Sequence, residues 1–205
     1  MPSGKTMINA GCGYDDSFRL FQDQGIAFVN FDLVYSTVSR LKNVGGAKLC
    51  VLGDIGAMPF ADSSFDYLVS TDVVHHEWEK LDQILTSFYD LIKPGGMLFL
   101  QDPNSHGLFQ LPKSILPKAV HRRLRKAYHK LKHSAFEPAD YEFPTSMRSV
   151  IGLLERIGFQ DVRMYGSFSY PCIDPLRYRI YQLLSRSRYI RTFHNYHYTL
   201  QASKP

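Results

Sequence analysis

The chain has 205 residues, of which 44% are apolar and 21% are charged. This length suffices for one well-packed core and is short for two, and the composition is that of a folded globular protein. No apolar run approaches the ~20 residues of a membrane-spanning helix, and residues 1–6 lack the apolar core of a signal peptide. The three cysteines are odd in number and far apart, which favours free thiols in a reducing compartment over disulfides or a zinc site. We therefore expect a cytoplasmic protein with one domain over residues 1–205 and no metal ligands.

The net charge of +5 is distributed unevenly along the chain. Residues 1–104 hold 7 Lys/Arg and 13 Asp/Glu, whereas residues 105–205 hold 17 Lys/Arg and 6 Asp/Glu. The acidic half is therefore the candidate cofactor-binding part, and the basic half is expected to meet an anionic substrate or surface. A solvated basic face would give the same composition.

Short apolar segments alternate with helical patterns along the first hundred residues. Strands are predicted at 6–10, 26–31, 48–52, 65–70 and 97–100, and helices before Gly25, at 36–42 and at 78–92, where the last helix ends in a turn at 93–96. This alternation predicts an α/β fold with a parallel sheet and right-handed crossovers.

The alternation is interrupted twice in the second half. A helix is predicted at 145–157, with Gly158 as its C-cap, and strands at 159–168 and 196–202. Residues 105–144 and 169–193 are interpreted as insertions before the sixth strand and between the last two strands. They are the segments where substrate identity is expected to be encoded, and they could form a lid.

Both insertions are rich in basic residues. From Lys113 to Lys132 there are eight Lys/Arg and no acid, with apolar residues at helical spacing among them. A basic amphipathic helix of this kind suits an anionic membrane surface, which would make the protein peripheral to the membrane, or a phosphorylated substrate. Nucleic acid would also suit basic residues interleaved with aromatics, but no RNA-binding module is recognisable. A lid with solvated charges is an equal alternative.

Polar or glycine residues follow each of the first four predicted strands. They are Gly11 and Gly13, then Asp32, Asp54, and the pair Thr71–Asp72. In open α/β sheets the ligand lies at the carboxyl ends of the strands, where glycines let the backbone approach it and an acidic residue about 20 positions on accepts the ribose hydroxyls. We therefore expect these residues to line one crevice.

These segments together resemble the class I S-adenosylmethionine-dependent methyltransferases of the small-molecule type, related to quinone and sterol methyltransferases. The resemblance covers nearly the whole chain and is carried by residues 9–15 (Asn-Ala-Gly-Cys-Gly-Tyr-Asp), 31–33, 53–60, 62–66, 92–96 and 158–159. It implies a Rossmann-like doubly wound sheet of seven strands, mostly parallel with the last antiparallel, and helical lid insertions. It also implies S-adenosylmethionine as cofactor.

The resemblance assigns a role to residues by position. The implied cofactor site comprises Asn9, Gly11, Cys12, Gly13, Asp32, Leu33, Asp54, Ile55 and Thr71. In it the two glycines flank the methionine part of the cofactor and Asp32 holds the ribose. Asp54 accepts from the adenine amino group, with Ile55 against the ring.

Two positions depart from the family's first motif. Asn9 stands where an acid is usual, and Asp15 where a third glycine is usual. Asn9 can still orient the cofactor's amino group through water, and a carboxylate at position 15 is favourable at a helix N-terminus. These departures leave reduced affinity, or a cofactor-binding protein without turnover, as an alternative. Hydride transfer is not favoured, because the Gly-x-Gly-x-x-Gly motif that binds a dinucleotide is not present.

Transfer of a methyl group from a sulfonium needs alignment and exclusion of water, and a base only where the acceptor must lose a proton. His75 and His76 follow the fourth strand and are the candidate catalytic residues, with Glu77 beside them; a structural role for the two histidines is the alternative. Asp102, which follows the fifth strand, is interpreted as part of a turn.

The sequence thus predicts methyl transfer to an oxygen or carbon atom of a small-molecule or lipid-linked acceptor. An RNA or protein methyltransferase that uses the basic half is the alternative, although the absence of an Asn/Asp-Pro-Pro-Tyr motif counts against a nucleobase or glutamine acceptor.

Overall fold

The computed structural model describes residues 4–14, 25–43, 49–107, 120, 123, 145–167, 183, 186–187 and 197–205. The strands are β1 (Thr6–Ala10), β2 (Ala27–Asp32), β3 (Leu49–Leu52), β4 (Phe65–Thr71), β5 (Ile92–Pro103), β6 (Gln160–Ser167) and β7 (His197–Ser203). The helices are α1 (Tyr35–Asn43), α2 (Leu81–Leu91) and α3 (Met147–Ile157), with 3-10 segments at Ile55–Ala57 and Val74–Lys80. The predicted helix before Gly25 and nearly all of the two predicted insertions lie outside the described residues, so the domain division stays a prediction.

The strands form one sheet in the order β3-β2-β1-β4-β5-β7-β6. The first five strands are parallel, and β7 is antiparallel to both β5 and β6. The expected Rossmann-like, mostly parallel seven-stranded sheet is confirmed. Because the order reverses at β1, the crevice of such a sheet lies outside the carboxyl ends of β1 and its neighbour β4.

The core occupies mainly one face of the sheet. Alternate residues of β1 and β5, such as Ile8 and Leu98, are fully buried there, together with Leu85 of α2 and Leu154 of α3. Strand side chains alternate between faces, so one residue in two contributes to this cluster. On α2 the buried residues recur at helical spacing for the same reason.

The predicted helix at 78–92 is wrong at its start, and the predicted turn at 93–96 falls inside β5 rather than before it. Residues Val74–Lys80 form 3-10 turns with a kink at Glu77, and the α-helix begins only at Leu81. β5 starts at Ile92, which pairs with Phe65, but the register then shifts to Tyr67 paired with Met97, so residues 93–96 interrupt the regular ladder with β4. Gly95, with φ +76°, and Gly96 exchange hydrogen bonds with Lys204, beyond the end of β7. The local bend is thus kept as an irregularity inside the strand.

The C-terminal helix follows its sequence closely. α3 ends at Ile157, and Gly158 caps it with φ +119°, donating to the carbonyls of Leu154 and Glu155. Glycine adopts this left-handed conformation without strain from a Cβ. The predicted C-cap is confirmed.

Candidate active site

A cavity of about 510 Å³ opens at the carboxyl edge of the sheet. Among the described residues it is lined by Gly11, Gly13, Asp32, Leu33, Val34, Thr37, Asp54, Ile55, Asp72, Val73, His76 and Glu77. These residues come from the segments that follow β1, β2, β3 and β4, which meet here because parallel strands end at the same edge. The volume is in the range of small-molecule sites.

The two glycines of the first turn have different surroundings. Both have positive φ, +74° at Gly11 and +52° at Gly13. A Cβ at Gly11 would lie 2.3 Å from Cγ2 of Val73, so this glycine lets the segment after β4 approach. A Cβ at Gly13 would meet no atom within 4 Å. Only Gly13 therefore leaves room that a ligand can use.

Asp32 ties the first turn to the end of β2. Its Oδ2 accepts from the backbone N–H of Gly13 at 2.7 Å, and its Oδ1 accepts from the N–H of Val34 at 2.8 Å. The residue is 8% exposed and lines the cavity. Each carboxylate oxygen has a second lone pair, so the group can still accept from a ligand hydroxyl. Asp32 is thus both a loop anchor, which the sequence did not suggest, and a candidate ligand acceptor.

Asp54 and Ile55 form the wall after β3. Asp54 caps the short 3-10 segment, and its Oδ1 accepts from the N–H of Gly56 at 2.8 Å. Ile55 is buried and packs in the main core while lining the cavity. An exposed carboxylate next to an apolar surface can accept from a planar ring's amino group and cover the ring face.

The cavity is acidic. Among its described lining residues, Asp32, Asp54, Asp72 and Glu77 are carboxylates, and none is Lys or Arg. A concave site lined with one sign of charge attracts the opposite sign. The site therefore suits a cationic ligand better than a phosphorylated one.

Three of the predicted cofactor-site residues do not line this cavity. Asn9 is 3% exposed and lies on β1, on the sheet face opposite Ile8. Cys12 is also 3% exposed and packs with Leu41, although its Sγ lies 4.0 Å from Oδ2 of Asp32. Thr71 is exposed at the end of β4. Their proposed contacts with the cofactor stay predictions.

The two candidate catalytic histidines are placed differently. His76 is exposed and lines the cavity, whereas His75 is 8% exposed and is not among the lining residues. Their rings are in contact, with centroids 4.1 Å apart at an interplanar angle of 34°. Of the pair, His76 is the one placed to meet a substrate.

His75 contacts a buried carboxylate that the sequence analysis interpreted as part of a turn. Its Nδ1 lies 2.9 Å from Oδ1 of Asp102, which is fully buried inside β5. Burial raises the pKa of Asp102, against the hydrogen bond and charge of His75 and the hydrogen bond from Thr145. The turn interpretation is wrong because β5 continues to Pro103, paired with β7.

A second residue that the sequence reasoning missed is His197. Its Nε2 lies 2.9 Å from Oδ1 of Asp72, which lines the cavity and has φ +56°. Positive φ is uncommon for a non-glycine residue and concentrates at functional sites. No local pattern could have paired residues 125 positions apart in sequence.

A second cavity, of about 580 Å³, lies beside α2. Its lining includes Phe60, Glu79, Asp82 and Asp90. None of the predicted site residues lines it, and no strand of the described sheet ends in it. The strand-end cavity is therefore the candidate site.

The chain is similar in sequence to known methyltransferases. Residues 8–100 match a family model described as a methyltransferase domain. The chain is 30% identical over 129 residues, 60% of its length, to a 2-methyl-6-phytyl-1,4-hydroquinone methyltransferase of Synechocystis sp.. It is 32% identical over 92 residues, 44% of its length, to a malonyl-[acyl-carrier protein] O-methyltransferase of Pseudescherichia vulneris. The matches cover 40% and 36% of those two relatives.

A solved structure shares the fold. The phosphoethanolamine N-methyltransferase 2 of Haemonchus contortus, solved with phosphomonomethylethanolamine and S-adenosylhomocysteine, matches with a TM-score of 0.66. The match covers 100% of this chain and 50% of that one at 19% identity, which shows the fold alone.

Proposed function

We propose that this chain, a member of the class I S-adenosylmethionine-dependent methyltransferases, transfers a methyl group from S-adenosylmethionine to a small-molecule or lipid-linked acceptor. The observation that carries the proposal is the strand-end cavity, because residues from four separate segments line it together. Five of the residues that the resemblance assigned to the cofactor's ribose, adenine and methionine parts are among them: Gly11, Gly13, Asp32, Asp54 and Ile55.

The residues present fit this cofactor. S-adenosylmethionine carries a sulfonium and an ammonium, and the described lining offers carboxylates without Lys or Arg. Gly13 leaves space beside the first turn. Asp32 would hold the ribose hydroxyls, Asp54 the adenine amino group, and Leu33 and Ile55 the two faces of the ring.

When bound, the cofactor supplies a methyl group on a positively charged sulfur that leaves as a neutral thioether. The chain's own part is to align the acceptor in line with the carbon–sulfur bond and to exclude water. Where the acceptor is a hydroxyl, the O–H bond breaks as the O–CH3 bond forms, and His76 would accept the proton at its imidazole nitrogen. A carbanion or an ionised acceptor needs no base.

Two relatives support the class of acceptor. One is named for a phytyl-substituted hydroquinone and the other for an acyl group on a carrier protein. Both names describe a small reacting group attached to a long apolar or carrier-linked chain. Among the described residues no helix is long and apolar enough to cross a membrane.

The proposal is tested in two steps with the full chain. Isothermal titration with S-adenosylmethionine and with S-adenosylhomocysteine tests the site, and binding of neither would overturn the proposal. Incubation with methyl-labelled cofactor and separate metabolite, lipid and RNA extracts then tests the acceptor. Label in the metabolite or lipid fraction is expected. Label in RNA or in protein alone would overturn the acceptor class, and binding without any transfer would indicate a non-catalytic binder.

A further inference from the structure

The buried face of β5 ends in a carboxylate. Leu98, Leu100 and Asp102 alternate along the same face, and all three are fully buried. Because strand side chains alternate between faces, the carboxylate of Asp102 lies on the same buried face as these two leucines, near the carboxyl end of β5. Such a group is costly to bury unless its oxygens are hydrogen-bonded.

Asp102 has hydrogen-bond partners on both oxygens. Nδ1 of His75 lies 2.9 Å from Oδ1, and Oγ1 of Thr145 donates to Oδ2 at 3.1 Å. Thr145 also contacts the hydroxyl of Tyr198. Burial and the charge of Asp102 raise the pKa of Tyr198 well above its usual value, so Tyr198 keeps its proton. It then donates to Thr145, whose own hydrogen points to Asp102.

This chain of hydrogen-bond donors determines which ring nitrogen of His75 carries a proton. Burial raises the pKa of Asp102, but the hydrogen bond and charge of His75 and the hydrogen bond from Thr145 favour its ionised form. An ionised Asp102 that accepts from Thr145 on one oxygen requires a donor at the other, which places a proton on Nδ1 of His75. A carboxylate in contact also favours the imidazolium form of that ring. His75 and Asp102 then form an ion pair without net charge in a buried place.

The protonation of His76 depends on the charge of His75, because the two rings are in contact. With ring centroids 4.1 Å apart, a second proton on His76 would place two cations in contact. Among the described residues, Asp72 and Glu77 line the cavity beside His76 and favour its protonation, but Asp72 is already paired with His197.

We propose that Asp102 is a positioning residue that keeps the proton of the histidine pair on His75, so that His76 faces the cavity as a neutral imidazole able to accept a proton. The use of His76 as a base rests on the proposed function. The distribution of protons between the two rings does not, and it can be measured without any substrate.

The test is nuclear magnetic resonance of the ring nitrogens in the full chain, labelled with ¹⁵N-histidine and titrated with pH. His75→Gln and His76→Gln assign the two rings among the eight histidines. In the wild type, His76 is expected to titrate below His75, which is protonated on Nδ1. In Asp102→Asn the midpoint of His76 is expected to rise by about one pH unit, because the neutral amide no longer holds a cation on His75.

Two further variants keep the result interpretable. Thr145→Val removes one donor to Asp102 and is expected to shift His76 in the same direction by less, and it serves alone if Asp102→Asn does not fold. Asp62→Asn removes an exposed carboxylate and is expected to shift neither ring. An unchanged His76 midpoint in either folded variant of the network overturns the inference.

Activity gives a second, separable readout. With a hydroxyl acceptor in hand, Asp102→Asn is expected to move the acidic limb of the pH–rate profile upward by about one unit. A merely structural role would lower kcat equally at every pH and would overturn the inference. Failure of the wild type to bind S-adenosylmethionine would refute the proposed function and leave the resonance result standing.

Discussion

The carboxylates at the two edges of the sheet have different partners. At the amino edge, Asp66 accepts hydrogen bonds from the ammonium groups of Lys5 and Lys93 at 2.6 and 2.9 Å and from the backbone and hydroxyl of Thr6. At the carboxyl edge, no Lys or Arg is among the described residues that line the cavity, although Glu77 lies 3.3 Å from Lys80 and Asp72 lies 2.9 Å from His197. Asp66 is thus paired with two cationic side chains, whereas Asp32 and Asp54 accept from backbone N–H groups, which leaves their negative charge available to a ligand.

The pKa values of two buried acids, Asp66 and Asp102, are shifted in opposite directions. Burial on its own would raise the pKa of Asp66, but the hydrogen bonds from Lys5, Lys93 and Thr6 outweigh it and hold the pKa well below its usual range. At Asp102 burial prevails and the pKa is raised. Groups with shifted pKa values occur in structural networks as well as at functional sites, and the role of each depends on both the direction of the pKa shift and the hydrogen-bond partners.

The largest expected effect is at the cavity. Asp32→Ala removes the acceptor of the ribose hydroxyls and releases Gly13 and Val34, whose N–H groups it holds. We expect the Kd for S-adenosylmethionine to rise about 100-fold, the equivalent of ~3 kcal/mol for lost hydrogen bonds to a charged group. Isothermal titration measures it.

Asp62→Ala is the matched control, because this exposed acid lies outside the cavity. We expect the Asp62→Ala variant to bind S-adenosylmethionine with the affinity of the wild type. Unchanged affinity for S-adenosylmethionine in Asp32→Ala would refute the assignment of Asp32 to the ribose. It would also contradict the proposal that the acids at the carboxyl edge of the sheet serve a ligand.

The next effect concerns the amino edge and stability. Asp66→Asn is expected to lower the free energy of unfolding at pH 7 by about 2 kcal/mol, with cofactor affinity unchanged. Because the folded-state pKa of Asp66 is lowered, its contribution to stability is complete above the unfolded value of ~3.9 and is lost as the pH falls from there toward the folded-state pKa. Urea unfolding at pH 7 and pH 3 measures the difference. A gap between the two proteins that is the same at both pH values would contradict the ionic role.

The smallest effect tests the charge of the cavity alone. Glu77→Gln keeps the shape of the side chain and removes one negative charge, which Lys80 already screens at 3.3 Å. We expect binding of S-adenosylmethionine to weaken about threefold, and binding of S-adenosylhomocysteine, which has no sulfonium charge, to change less. Glu79→Gln, an exposed acid outside this cavity, is the control. Equal weakening of both ligands would mean that Glu77 acts by shape.

Local sequence was enough to predict the fold and the edge of the sheet at which the cavity lies. Alternating apolar segments predicted the parallel strands, and the glycines and acids that follow them predicted which edge forms the crevice, because parallel strands must end together. Gly11 directly follows β1, Asp32 is the last residue of β2, and Asp54 comes two residues after the end of β3.

Only the tertiary structure decided which neighbour each of these groups has. Adjacent His75 and His76 carry the same local signal, yet one is buried on Asp102 and the other faces the cavity. The sequence indicated that Asp102 is part of a turn, but the pairing of β7 with β5 places it inside a strand, where it is buried. Contacts between residues 27 to 125 positions apart depend on packing, which local propensity does not encode.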